Sequence, residues 1–173
     1  MKLQKKIECE AKLKVIDLEG LMKRIMTLGW ICKGTDYEIN ELYSMKNGFT
    51  FRIRKIKGEN NVLYTHKGEN LPSSYKKKKE YEKELSQEQA NKIIKHATYL
   101  GVYEKKRTIY KESKHCLVTL DEVASLGHYI EIEAPDDEKI TEILLLLRLN
   151  PADHICESYF TLLQKKNEKN YNI

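Results

Sequence analysis

Near the start of the chain, Glu8, Glu10 and Lys12 alternate with Cys9, Ala11 and Leu13, so in an extended strand the three charges share one face. The spacing recurs. Arg52 and Arg54 flank Ile53, Lys105 and Arg107 stand two apart, and Glu131 and Glu133 bracket Ile132. A half-buried strand normally turns such charges to water. Repeated along several strands with both signs present, they instead describe a sheet face that gathers cations and anions. Buried charges need partners. Lys12, Arg52, Arg54, Lys67, Lys105 and Arg107 would therefore bind an anion with many oxygens, for which guanidinium and ammonium donors are suited. The carboxylates Glu8, Glu10, Asp121, Glu131 and Glu133 would hold Mg²⁺ or Mn²⁺, hard cations that bridge carboxylate to phosphate. A triphosphate meets both demands.

These side chains share a volume only if the strands curl around it. After the first strand, Asp17 is a predicted N-cap for a helix with Leu18, Leu21, Met22, Ile25 and Leu28 on one side, stopped by Gly29. Strands follow near Tyr37 to Tyr43, from Phe49 to Lys57 after the Asn47-Gly48 hairpin signal, and from Val62 to Lys67. Gly68 to Ser74 reads as a loop. A strand with Glu80, Glu82 and Glu84 in phase leads to Ser86-Gln87-Glu88-Gln89, which has the form of a capping box. The helix it opens is expected to run to about Leu100 and stop at Gly101. Three further strands span Val102 to Lys111, Cys116 to Val123 and Tyr129 to Glu133. A helix from Pro135 and Asp136 carries Ile140, Ile143, Leu144 and Leu147, and a last amphipathic piece carries Tyr159, Phe160, Leu162 and Leu163. About eight strands with short connections predict an α+β fold, a closed antiparallel β-barrel with helices packed outside. Apolar phases such as Cys9, Ala11, Leu13, Ile130 and Ile132 would face the helices, leaving the charged phases to line a polar tunnel.

The 173 residues, 40% apolar and 33% charged, suit one globular domain over residues 1–173 and exclude a disordered or membrane-spanning chain. The formal charge of +5 is modest. The run Lys76 to Lys79 and the tail Lys165-Lys166-Asn167-Glu168-Lys169 read as solvated surface, so nucleic acid is not an expected partner. Cys9, Cys32, Cys116 and Cys156 lack metal-ligand spacing, and three of them are expected as buried free thiols. The charged start has no signal-peptide core, and Ile143 to Leu147 is too short to span a bilayer. A cytoplasmic protein without a membrane partner is expected. His66 falls in the phase opposite Lys67 and is read as an outer-face histidine. His115, His128 and His154 have no identifiable nucleophile beside them, and Tyr81 and Tyr103 read as sheet packing.

Glu8-x-Glu10-x-Lys12 resembles the signature of the CYTH superfamily, the triphosphate tunnel metalloenzymes, named for class IV adenylyl cyclases and thiamine triphosphatases. Phe51-Arg52-Ile53-Arg54 is similar to its paired-arginine strand, Leu63-Tyr64-Thr65-His66-Lys67 to its Thr-x-Lys strand, and Lys105-Lys106-Arg107 to its Lys-x-Arg pair. Leu120-Asp121-Glu122-Val123, Leu126-Gly127-His128-Tyr129 and Glu131-Ile132-Glu133 resemble its Asp strand, Leu-Gly turn and closing Glu-x-Glu strand. Two positions depart from the pattern. Lys78 stands where many members carry Arg before a Glu-x-Glu, here Glu80 and Glu82, and Glu41 stands before Tyr43 where members often have Asp. Glu157-Ser158-Tyr159 with Leu162-Leu163 resembles the tail of the cyclase-like branch.

The resemblance implies Glu8, Glu10 and Lys12 at the centre of catalysis and a triphosphate held by Lys12, Arg52, Arg54, Lys67, Lys105 and Arg107. It implies Mg²⁺ or Mn²⁺ on Glu8, Glu10, Asp121, Glu131 and Glu133, with Lys78, Glu80 and Glu82 as further candidates. The expected activity is hydrolysis of inorganic tripolyphosphate or of a nucleoside or thiamine triphosphate. The alternatives are cyclisation of ATP to cyclic AMP and pyrophosphate, and non-catalytic binding of polyphosphate or nucleotide. A second copy of the chain is the one protein partner left open.

Overall fold

The structure, a computed structural model, describes residues 4–171. Eight strands, β1 (Gln4–Lys14), β2 (Ile31–Ser44), β3 (Thr50–Ile56), β4 (Asn61–Leu71), β5 (Lys76–Ser86), β6 (Thr98–Ser113), β7 (Cys116–Val123) and β8 (Gly127–Ala134), form a closed antiparallel barrel in the order β1-β5-β4-β3-β2-β6-β7-β8. The ring closes where Lys12 pairs with Glu131 and Glu10 with Glu133 across β1 and β8, so the first and last strands satisfy each other's backbone groups and leave no open edge.

Four α-helices pack outside: α1 (Leu18–Thr27), α2 (Gln87–Ile94), α3 (Asp137–Leu146) and α4 (Tyr159–Tyr171). Asp17 caps α1 through Gly20 N, and Ser86 with Gln89 closes the capping box of α2. Outward residues Cys9, Ala11, Leu13, Val118, Ile130 and Ile132 form the main core with Leu21 and Ile25 of α1 and Ile140, Ile143 and Leu144 of α3. Ala90 of α2 covers Phe51, Ile53, Val62 and Leu85. The hydrophobic core thus lies between the barrel wall and its helices, which frees the barrel interior for charge.

Several sequence expectations are corrected. The helix α2 ends at Ile94 instead of near Leu100, because Leu100 and Gly101 belong to β6, the longest strand. Gly101 borders a bulge in β6, where Leu100 is the extra residue between the pairs Leu42–Gly101 and Tyr43–Tyr99, and at φ +153° a Cβ there would lie 2.5 Å from the Phe160 ring of α4. It is a strand glycine selected by close approach, not a helix stop. The predicted loop from Gly68 is strand as far as Leu71, interrupted by a bulge between Lys67 and Asn70. Met22 and Leu28, placed on the buried side of α1, are 38% and 36% exposed, since they fall at the margins of the stripe. Cys9 and Cys116 are buried, but Cys32 and Cys156 are exposed. Cys32 lies in the uncovered first half of β2 and Cys156 in the segment before α4. Among the described residues no helix is long and apolar enough to cross a membrane.

Candidate active site

Alternation along the strands sends one charged phase into the barrel, as the spacing predicted. Glu8, Glu10, Lys12, Lys105, Arg107, Asp121 and Glu131 are buried despite their charge. A cavity of about 420 Å³ is lined by Glu8, Glu10, Lys12, Arg52, Arg54, Lys67, Lys105, Arg107, Glu131 and Glu133. Of the candidates on the charged face, Asp121, Glu80 and Glu82 are the ones that do not line it.

The cavity has a cationic wall and an acidic end. Arg52 and Arg54 project from β3, and the Nε atoms of both are buried without a hydrogen-bond partner. Arg52 has no carboxylate within 4.0 Å among the described residues. Its Nη1 donates to the Tyr103 hydroxyl at 3.4 Å and its Nη2 to Thr65 Oγ1 at 3.5 Å. Arg54 faces Glu38, Nε to Oε2 3.4 Å. Burial favours the neutral acid at Glu38, but Arg54, Lys105, Arg107 and Arg52 outweigh it and hold the carboxyl down at about 2.

Asp121 lies beneath this wall. It accepts Arg107 Nε at 2.7 Å, Arg107 Nη2 at 2.6 Å, Lys105 Nζ at 3.0 Å and the Tyr159 hydroxyl at 2.8 Å. Three of these bonds fall on Oδ2 and one on Oδ1, so the carboxylate is committed mainly to the cations around it. Arg107 also grips Glu131. Burial opposes ionisation of Glu131, but Arg107, Lys12 and Lys105 hold its carboxyl well below the usual range. Lys12 is set by the C-terminal segment: its Nζ donates to the Glu157 carbonyl at 2.9 Å, stands 3.4 Å from Glu131 Oε1, and lies 4.3 Å from the centre of the Tyr159 ring.

At the acidic end, Lys67 Nζ lies 2.5 Å from Glu8 Oε2, 2.9 Å from Glu80 Oε2 and 3.4 Å from Glu10 Oε2. Burial lowers the Lys67 pKa, but Glu10, Glu8 and Glu80 raise it well above the ordinary value. Lys76 pairs with Glu10. Lys6 reaches Glu8, Glu80, Glu82 and Glu133 at 3.6 to 4.0 Å. Five carboxylates, Glu8, Glu10, Glu80, Glu82 and Glu133, thus crowd around three ammonium groups. The strain shows at Glu133, whose carboxyl is pushed up to about 7 by burial and by the neighbouring Glu8 and Glu10 charges.

The donors are all carboxylate oxygens, so this end fits Mg²⁺ or Mn²⁺ chemically. Among the described residues no three carboxylate, histidine or cysteine side chains stand at metal-ligand spacing. Ammonium groups lie between them, and a bound ion would have to displace at least one.

The lysine run is a further correction. Lys76 and Lys78 line the cavity, whereas Lys77 and Lys79 point the other way, because a strand splits any run between its two faces. Lys78 makes no ion pair among the described residues, and burial with the Lys76 and Lys67 charges lowers its pKa. Tyr103 is not sheet packing alone. It shares the inward phase of Lys105 and Arg107, lines the cavity, and is drawn toward ionisation, against burial, by Arg52 and Lys105. Of the further candidates, Glu80 is buried at the acidic end, and Glu82 stands beside Lys6 and accepts from Thr65 at 3.4 Å.

Glu84 is exposed and bonded to Asn61, and Glu41 pairs with Lys55 and the Tyr43 hydroxyl outside the barrel. His66 stacks on Phe49, on the outer face as expected. The sequence reading missed Lys6, Glu38 and Asn40. Lys6 is in phase with Glu8, and Glu38 and Asn40 are in phase with each other. Both patterns were visible, but a single Lys or Glu at alternating spacing is too common to stand out.

Comparison with known proteins agrees with this geometry. The CYTH domain profile matches residues 36–155. No curated protein matches the sequence. Among solved structures, the PH1012 protein of Pyrococcus horikoshii OT3 is 25% identical with a TM-score of 0.78, the alignment covering 90% of this chain and 98% of that one. A proposed adenylate cyclase from Vibrio parahaemolyticus is 17% identical at TM-score 0.76, covering 93% and 99%. A proposed adenylyl cyclase from Hippeastrum, described as having a dominant triphosphatase activity, is 16% identical at TM-score 0.69, covering 92% and 96%. At those identities the last two speak to the fold alone. The profile spans well over half of the chain and includes the arginine strand, the Lys-x-Arg strand and the closing Glu-x-Glu strand that line the cavity, and the chain belongs to the CYTH domain family.

Proposed function

We propose that the protein is a metal-dependent triphosphatase that binds its substrate inside the barrel. One observation carries this reading: Arg52 is a buried guanidinium with no carboxylate within 4.0 Å among the described residues, in a cavity where carboxylates crowd closely enough to push Glu133 up to about 7. A structural ion-pair network would have matched its charges internally. Here a guanidinium without a close carboxylate and carboxylates crowded against one another line one cavity, the arrangement needed for a polyanion joined to a divalent cation. The barrel is also the fold of the Hippeastrum protein described as having a dominant triphosphatase activity, so the fold accommodates that reaction.

In this reading Arg52, Arg54, Lys78 and Lys105 take the phosphate oxygens. Glu8, Glu10, Glu131 and Glu133 would hold Mg²⁺ or Mn²⁺, while Asp121, already bonded to both, holds Lys105 and Arg107 in place. The metal would supply charge neutralisation of the phosphates and a bound water of lowered pKa. Lys12, with one N–H on the Glu157 carbonyl and another toward Glu131, keeps its third N–H for the substrate. Phosphoryl transfer depends mainly on positioning and charge stabilisation, so no covalent nucleophile is required.

A second reading is favoured by the wall nearest α4, where Leu42, Tyr103, Tyr159 and Phe160 line the cavity. An organic group on the triphosphate would find apolar contact there, as ATP cyclisation requires. The test is to incubate the purified protein with tripolyphosphate, ATP and thiamine triphosphate, each with Mg²⁺, Mn²⁺ or excess EDTA, and resolve the products by chromatography and mass spectrometry. Orthophosphate formed only with metal supports the triphosphatase. Cyclic AMP and pyrophosphate support the cyclase, and turnover undiminished in EDTA overturns both.

A further inference from the structure

The three lysines of the acidic end are not equivalent. Lys67 and Lys76 are held by close contacts to Glu8, Glu80 and Glu10, and their side chains are 27% and 13% exposed. Lys6 is 44% exposed and approaches its four carboxylates no closer than 3.6 Å, too far for hydrogen bonding to a glutamate oxygen. It uses different oxygens from Lys67: Lys6 faces Glu8 Oε1 and Glu80 Oε1, whereas Lys67 faces the Oε2 atoms of the same residues. Lys6 also borders a second hollow, shared with Glu8, Glu133, Lys114 and His115, so its ammonium stands between the metal end of the tunnel and solvent.

The geometry points to Lys6 as a displaceable counterion, whose ammonium holds Glu8, Glu80, Glu82 and Glu133 together in the metal-free protein and swings out when a divalent cation takes its place. The inference rests on the reading that Glu8 and Glu133 hold such a cation. An ion entering the acidic end must displace one ammonium. Moving Lys67 would break contacts of 2.5 and 2.9 Å to largely buried carboxylates. Moving Lys6 gives up only four loose ionic contacts, and its flexible stem can carry the charge directly into water. Lys6 therefore sets the metal affinity by competition and prevents collapse or repulsion of the carboxylates when metal is absent.

The test is calorimetric titration of Mn²⁺ into the wild-type chain, Lys6→Met and Lys6→Arg, with thermal melts of each in EDTA and in Mn²⁺. Lys6→Met should bind Mn²⁺ about tenfold more tightly, melt lower than wild type in EDTA, and regain the difference in Mn²⁺. Lys6→Arg keeps the competing charge and should bind no tighter than wild type. Wild-type binding with an unchanged or weakened affinity in Lys6→Met overturns the displacement inference while leaving the metal reading intact. Absence of Mn²⁺ binding in all three proteins overturns both.

Discussion

Arg107 and Asp121 meet in a two-point contact beneath the cavity, Nε to Oδ1 at 2.7 Å and Nη2 to Oδ2 at 2.6 Å, with both side chains almost wholly buried. Such a pair is weak evidence of stability as a whole, but breaking it leaves a charge stranded. Asp121→Asn should destabilise the fold by about 3 kcal/mol, measured by urea unfolding. If Asp121 serves the cations instead of the metal, the same variant keeps its Mn²⁺ affinity within about threefold, whereas Glu133→Gln loses more than tenfold. Equal losses in the two variants would place Asp121 among the metal ligands.

The split lysine run gives a contrast between neighbouring residues. Arg52→Ala and Lys78→Ala each remove a charge facing a confined site and should weaken tripolyphosphate binding by about tenfold or more. Lys77→Ala and Lys79→Ala act on the other face, where water and salt screen them, and should change it by less than about twofold. Titration at two salt concentrations checks both. Equal effects at Lys78 and Lys79 would move the anion to the outer surface.

Acid stability is linked to Glu38. Its carboxyl ionises at about 2 in the folded chain against an ordinary 4.5, so its contribution is complete above 4.5 and is lost as pH falls toward 2. The displacement corresponds to about 3 kcal/mol. Glu38→Gln should be less stable than wild type by about that amount at pH 7, and the gap should narrow as unfolding is repeated at pH 4 and pH 3. A gap independent of pH would mean that packing, not charge, accounts for the loss.

Tyr159 ties the C-terminal helix to the site through two separable contacts. Its hydroxyl donates to Asp121 at 2.8 Å, and its ring carries Lys12 at 4.3 Å and Lys105 at 5.3 Å. Tyr159→Phe should cost about 2 kcal/mol of stability while leaving KM nearly unchanged. Tyr159→Leu removes the ring as well and should raise KM about tenfold through a misplaced Lys12. Matching kinetics in the two variants would remove the ring from the account.

The sequence by itself determined which residues face the interior. Alternation at Glu8, Glu10 and Lys12, at Arg52 and Arg54, and at Glu131 and Glu133 is a property of any extended chain, independent of what it packs against. The caps at Asp17 and Ser86 and the apolar stripe of α3 were legible for the same local reason. The boundary at Leu100 was not, because Gly101 reads equally as a helix stop and as a strand glycine, and the pairing of β6 with β2 decided it. Nor could spacing show that Asp121 is bonded to Lys105, Arg107 and Tyr159 while Arg52 has no carboxylate within 4.0 Å among the described residues, or that Tyr159 reaches Asp121 from 38 residues away. Partnership between charges depends on distances across the closed barrel, and those distances exist only once β1 has met β8.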